Sequence, residues 1–209
     1  MKKIIPLLAL FVFTLFPLVS MGQKNILTPH ANTSELQQIQ DTLSQAGHLQ
    51  GDFTQTRYIT LLSSPLVSSG TFSLSKKTGL IWQQIKPFPS KLEVTATKLI
   101  QKLGDNPATI MTKEKQPIIF SFTNIFLSIF KGNTEQVKQY FKIHLTGDKS
   151  KWTITLKPKS APLNKAISSI QLSGEKYVKQ VIIHEQKGNK MIIQFSNVRA
   201  ISAKIKKGT

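Results

Sequence analysis

The sequence predicts a mainly β (α+β) fold, a single curved antiparallel sheet with helices laid on one side of it. Three observations lead there. Apolar and polar residues alternate with a period of two through most of 49–198. Clusters of Gly, Pro, Asn, Asp and Ser interrupt that alternation at short intervals, which suits hairpins rather than crossover connections. Two segments, 34–46 and 117–131, break the period and read as helices.

The N-terminus comes first. Lys2 and Lys3 precede an apolar run from Ile4 to Leu18, and Ser20-Met21-Gly22 supplies small residues at the positions a signal peptidase reads. A membrane-spanning helix needs about 20 apolar residues; this run is shorter and holds Pro6 and Pro17. Cleavage after Gly22 is therefore expected, and what remains suits one domain. With no cysteine, that domain has no disulfide, no thiolate chemistry and no residue for a lipid anchor.

Residues 23–32 are polar. Ser34 and Gln37 fit a capping box, and Leu36, Ile39 and Leu43 follow at helical spacing, so 34–46 reads as an amphipathic helix ending near Gly47. The period then becomes two. In 49–61, Leu49, Phe53, Ile59 and Leu61 share one parity with Gly51, Gln55 and Arg57. Leu66, Gly70, Phe72 and Leu74 form the next run, then Leu80 and Trp82, then Leu92, Val94 and Ala96. Leu99–Leu103 and Ala108–Thr112 flank Gly104-Asp105-Asn106-Pro107 and read as a hairpin.

The segment Ile118–Phe130, following Pro117 and preceding Gly132, is apolar almost all the way round. Proline opens helices and glycine closes them, and a helix without a polar face must be covered on several sides. Strands resume with Phe141, Ile143 and Leu145, then Trp152, Ile154 and Leu156. A polar connection at 157–167 follows, and then Ile170–Leu172, Tyr177–Glu185 and Met191–Val198. Residues 199–209 form a basic, flexible tail.

Composition narrows the function. The formal charge is +18, and of the 28 basic residues only Arg57 and Arg199 are arginine. Arginine is the usual bidentate reader of base edges, so a lysine-coated exported chain is not expected to bind nucleic acid. The lysines either solubilise a β-rich surface or meet an acidic partner or lipid headgroup. The four histidines, His30, His48, His144 and His184, form no metal-spaced pair and none stands beside a Gly-flanked serine. Lone histidines in strands, such as His144 and His184, are more often structural. Acidic residues number 10 and are scattered, and there is no phosphate-cradling glycine loop. No catalytic residue, metal site or cofactor is expected, and the chain does not read as an enzyme.

The informative feature is surplus apolar surface. The chain has 12 phenylalanines, with Phe120, Phe122, Phe126, Phe130 and Phe141 close together. A sheet that curves without closing would hold the apolar helix as a plug or lid over a hollow. On periodicity alone, an ordinary filled core is the commoner outcome.

Several residues carry a family resemblance. Phe53-Thr54-Gln55 within Gly51-Asp52-Phe53-Thr54-Gln55 matches a Phe-x-Gln motif. Ser68-Ser69-Gly70, Trp82 ahead of Pro87, and the closing strands around Lys187-Gly188 and Ile193-Gln194-Phe195-Ser196-Asn197 continue the match. In this order, over nearly all of 34–198, the chain resembles the periplasmic outer-membrane lipoprotein carriers (LolA-like proteins). The resemblance implies an unclosed antiparallel β half-barrel with a helical lid, shielding the acyl chains of lipoproteins or related lipids between inner and outer membrane. It implies a domain at 23–198, behind the signal peptide at 1–22, that is periplasmic and monomeric. It also implies an inner-membrane transporter or exporter as donor and an outer-membrane acceptor. Phe53, Phe72, Leu74, Leu80, Trp82, Leu92 and Val94 would line the lipid site, with Phe122 and Phe126 on the lid.

Two departures stand out. The lipoprotein carriers place arginine directly before the tryptophan, where this chain has Ile81, and they carry a further C-terminal segment missing here. A different hold on the lid is thus expected, and the cargo need not be lipoprotein. The competing reading is a basic periplasmic adaptor of an envelope lipid exporter, with no hydrophobic cargo of its own and 117–131 as plain core.

Overall fold

The computed structural model describes residues 33–75, 77–95, 97–112, 127–128 and 133–201. Helix α1 (Thr33–Gln45) is followed by β1 (His48–Tyr58), β2 (Leu66–Ser75), β3 (Gly79–Lys86), β4 (Ser90–Val94), β5 (Lys98–Leu103) and β6 (Thr109–Thr112). After α2 (Thr134–Tyr140) come β7 (Phe141–Gly147), β8 (Trp152–Pro158), α3 (Leu163–Ala166), β9 (Ile167–Gly174), β10 (Val178–Glu185) and β11 (Lys190–Ala200).

All eleven strands lie in one sheet in the order β6-β5-β4-β3-β2-β1-β11-β10-β9-β8-β7. Every pairing is antiparallel. Two meanders, β1–β6 and β7–β11, are thus joined in the middle by the first strand and the last. The edges are β6 and β7, consecutive in the chain, and among the described residues they do not pair. The sheet is open.

Alternation along each strand puts one face inside. In β1 the residues Leu49, Gly51, Phe53, Gln55 and Arg57 are buried, while their neighbours are half-buried or exposed. The register carries this parity across the sheet. Ile154 pairs with Leu172, Leu172 with Val181, Val181 with Ile193, and Ile193 with Gln55. Helix α1 covers the β7–β9 end of the same face, as expected: Leu36, Ile39 and Leu43 meet Ile154, Leu156, Leu172 and Val137. All are buried, and the space left between them is only about 30 Å³. Trp152 sits there too, its indole N–H satisfied by the Glu175 carbonyl at 2.7 Å.

Several boundaries differ from the sequence reading, each for a physical reason. Strand β1 ends at Tyr58, not Leu61. Its partner β2 begins at Leu66, opposite Arg57, so beyond Tyr58 there is nothing to pair with on that side. Residues 59–62 form a turn tied to the β10–β11 connection, where Thr60 N–H donates to Asn189 Oδ1 at 3.1 Å, and Leu61 is 93% exposed. Within α1, Gln37 Nε2 donates forward to Asp41 Oδ1 at 3.0 Å.

Helix α2 was not anticipated. Its two turns carry a single buried apolar residue, Val137, too few to mark a period, and Asn133 Oδ1 caps it by accepting from Gln136 N–H at 3.2 Å. The polar connection at 157–167 contains α3, which buries Leu163. Arg199 and Ala200, expected to open a loose tail, pair with Gln50 and Leu49 in β11, and Ile201 N–H donates to the His48 carbonyl at 2.8 Å. Of the apolar segment 117–131, Leu127 and Ser128 are described; both are helical and buried, and Ser128 Oγ donates to Gln136 Oε1 at 2.7 Å. The remainder, like Ala96 and the signal segment, lies outside the described residues.

Candidate ligand-binding face

The seven candidate residues on strands all share the inner face, and the register sets them in rows. One row is wholly aliphatic and crosses five strands: Leu49, Leu74, Leu80, Val94 and Leu99 are consecutive pairing partners, and all are buried. The next row reads Gly51, Phe72, Trp82 and Leu92; Leu92 is only half-buried. In the third, Phe195, Phe53, Gly70 and Gln84 follow one another.

The rings of the last two rows converge. Phe53 stacks on Trp82 with centroids 3.7 Å apart, and Phe195 meets Phe72 edge-on at 5.1 Å and Trp82 at 6.2 Å. Phe53 and Trp82 belong to β1 and β3, whose backbones lie roughly 9–10 Å apart across β2. Side chains drawn together over that distance mark this as the concave face. Two glycines make the convergence possible. Gly70 lies between Phe53 and Gln84 in the register, and a Cβ there would stand 1.9 Å from the Gln83 carbonyl oxygen, so the glycine lets β2 and β3 approach closely beside the Phe53–Trp82 stack. A Cβ on Gly51 would stand 2.9 Å from Phe72 Cε1, so the glycine admits that ring.

Bulges fit these close approaches. Between β2 and β3 the register slips from Ser69–Lys86 to Gly70–Gln84. Between β1 and β11 it slips from Gln50–Arg199 to Asp52–Ser196. The latter houses Asn197 at φ 53°, a conformation Asn tolerates better than most residues, and Asn197 Nδ2 donates to Asp52 Oδ2 at 2.6 Å. Phe53, Gly70, Trp82 and Phe195, which belong to the motifs of the family resemblance, are among the residues that shape this face.

Towards the Arg57 end the face turns polar. Gln55, Arg57, Ser68 and Gln84 are all buried. Arg57 Nη2 meets Glu185 Oε1 at 3.0 Å, Asn189 Nδ2 donates to the other Glu185 oxygen at 2.9 Å, and Gln84 Nε2 donates to the Phe88 carbonyl at 2.9 Å. Among the described residues no group of three His, Asp or Glu side chains could hold a metal ion. His48 bonds Ser73 Oγ at 2.8 Å.

Phe195, Leu49 and Leu99 belong to the same surface but were not among the candidates. Parity was available for each, but the pairing of β11 with β1 that brings Phe195 beside Phe53 is not written in either segment. Ile81, at the position where the lipoprotein carriers have arginine, is 37% exposed on the outer face. Phe122 and Phe126 lie outside the described residues.

Residues 44–207 match the family model described as outer membrane lipoprotein carrier protein LolA. No curated protein matches the chain by sequence. Among solved structures, the chain is similar to a LolA superfamily protein from Nitrosomonas europaea, with 7% identity over 83% of this chain and 95% of that one and a TM-score of 0.47. A DUF1329 family protein from Desulfovibrio piger gives 8%, 82%, 93% and 0.45, and LprF from Mycobacterium bovis gives 14%, 81%, 95% and 0.37. The sequence match over most of the chain places it in the LolA family, the outer membrane lipoprotein carrier proteins.

Proposed function

We propose that the protein is a periplasmic carrier. It takes acyl chains of lipoproteins or related lipids onto the concave face of β1–β4 and moves them between the inner and outer membranes. The observation that carries this reading is the aromatic cluster Phe53–Phe72–Trp82–Phe195, set beside an unbroken aliphatic row on an open sheet. Such a face offers apolar contact without chemistry, and the family match supplies the class of cargo. Acyl chains entering would replace apolar contacts with similar ones, each worth about 25 cal/mol per Å², so loading and release need not be separated by a large free-energy gap. The segment 117–131 lies in the chain between the two edge strands and is rich in apolar residues, which suits it to cover this face when empty.

The two tryptophans make a direct test. Trp82 lies in the proposed site and Trp152 under α1. A fatty acid brominated along its chain should quench the fluorescence of the Trp152→Phe protein, where Trp82 reports, and leave the Trp82→Phe protein bright. Quenching of neither would contradict the reading and favour the cargo-free adaptor.

A further inference from the structure

The row that runs Ile154, Leu172, Val181, Ile193 across four strands changes character when it reaches β1 and β2. The next two positions are Gln55 and Ser68, which pair with each other. Gln55 is 2% exposed and Ser68 5%, and among the described residues neither Gln55 Oε1 nor Ser68 Oγ has a hydrogen-bond partner. Beside them, Gln84 bonds the Phe88 carbonyl and the Arg57 guanidinium is engaged by Glu185. The orphan atoms adjoin the aromatic cluster, because Gln55 stands two residues beyond Phe53 on the same face of β1.

A buried polar atom without a partner destabilises a protein, and most such groups in folded proteins are satisfied. A leucine at 55 would continue the apolar row and remove the cost. Two adjoining unmet groups at the border of an apolar surface are what a ligand with a polar linkage on a long chain would require. Resting on the carrier reading above, we infer that Gln55 and Ser68 form a polar seat for the group that links the acyl chain to the rest of the cargo. That group is one with a hydrogen-bond donor, an amide N–H or a hydroxyl. The chain would then lie on Phe53, Phe72 and Trp82 with its linkage at Gln55 and Ser68. A carrier built this way distinguishes amide-linked or hydroxylated acyl chains from plain esters and hydrocarbons, and holds its cargo in one orientation. A serine hydroxyl both donates and accepts, as does a glutamine amide, so the pair can serve the carbonyl of an amide as well as its N–H.

The experiment uses the mature protein and two probes that differ by one group, N-methylpalmitamide and methyl palmitate, each competing with the brominated fatty acid for Trp82. The wild type should bind the amide about tenfold tighter than the ester, the worth of one hydrogen bond made at a site already desolvated. In Gln55→Leu the ratio should fall to near one, and the empty protein should melt at a higher temperature than wild type, because an unmet polar group has gone. Ser68→Ala should lower the ratio part of the way. Equal affinities in the wild type, or a tenfold ratio that survives Gln55→Leu, would overturn the polar seat while leaving the carrier reading intact. Binding of neither probe by the wild type would overturn both. A lower melting temperature for Gln55→Leu would assign Gln55 a structural role instead. The wild-type comparison needs no variant, so it decides even if Gln55→Leu does not fold.

Discussion

Replacing Gly70 by alanine tests the link between the sheet and its candidate site. The added methyl would stand 1.9 Å from the Gln83 carbonyl oxygen and 2.8 Å from Gln84 Cα, both backbone atoms of β3. No rotamer relieves this contact, because the methyl has none and the opposing atoms belong to a strand paired on both sides. Relief to an ordinary van der Waals distance requires β2 and β3 to part by more than about 1 Å, which breaks close packing. Overpacking of this kind costs about 1–3 kcal/mol, and backbone against backbone belongs at the upper end. At roughly 2–4 °C per kcal/mol for a chain of this size, thermal unfolding should shift down by about 5–10 °C. The same displacement would carry Trp82 away from Phe53, so the near-ultraviolet circular dichroism of the tryptophans should weaken. A Gly70→Ala protein within about 1 °C of wild type, with an unchanged tryptophan signal, would refute both the tight β2–β3 bulge and the stack built over it.

Other outcomes follow from the same geometry. Arg57→Met should destabilise by up to about 3 kcal/mol, because it leaves the half-buried Glu185 carboxylate without its cation, whereas Arg57→Met with Glu185→Met should restore most of that loss in chemical denaturation. Phe53→Ala should cost about 3–5 kcal/mol and weaken acyl-probe binding, while Thr54→Ala, one residue along on the exposed face, should change neither. Asp148 accepts from the Ser150 hydroxyl at 2.5 Å, the Ser150 amide at 2.7 Å and the Lys151 amide at 3.2 Å, which holds its carboxyl below the usual 3.8. Its contribution to the β7–β8 turn is therefore present above that value and lost as pH falls through the lower folded one, visible by NMR as an acid shift of the Ser150 amide. Phe122→Asp or Phe126→Asp, placing a charge in the apolar-rich segment 117–131, should lower lipid retention while the β signal in far-ultraviolet circular dichroism persists; outright unfolding would mark that segment as plain core. Association with anionic vesicles should drop between low and physiological ionic strength, since the attraction of a lysine-rich surface is screened.

Much of this fold was legible in the sequence because alternation is local. A strand with one buried face writes its parity into its own residues, so spacing sets Phe72 with Leu74, Leu80 with Trp82 and Leu92 with Val94, while the family motifs around Phe53 and Trp82 point to the face that looks inward. Turn residues located most hairpins for the same reason. Strand ends were less legible, since they depend on where the partner stops: Ile59 and Leu61 keep the parity of β1 but have no strand beside them. A two-turn helix such as α2 has too few residues to show a period. The junction of β1 with β11 joins segments at opposite ends of the domain, and nothing local to either names the other, so Phe195 was missed although its parity was plain. Gln55 was noticed as part of a motif, but its lack of a partner depends on what stands around it in the fold.

The central claim is that the concave face holds acyl chains. Native mass spectrometry of the mature protein, purified gently from envelope extracts, tests it most directly. The account predicts a species heavier than the bare chain by the mass of a bound acylated molecule, released on collisional activation and depleted in a Phe53→Asp protein that still folds. A wild-type protein that appears only at its bare mass, and stays so after incubation with lipid, would contradict it.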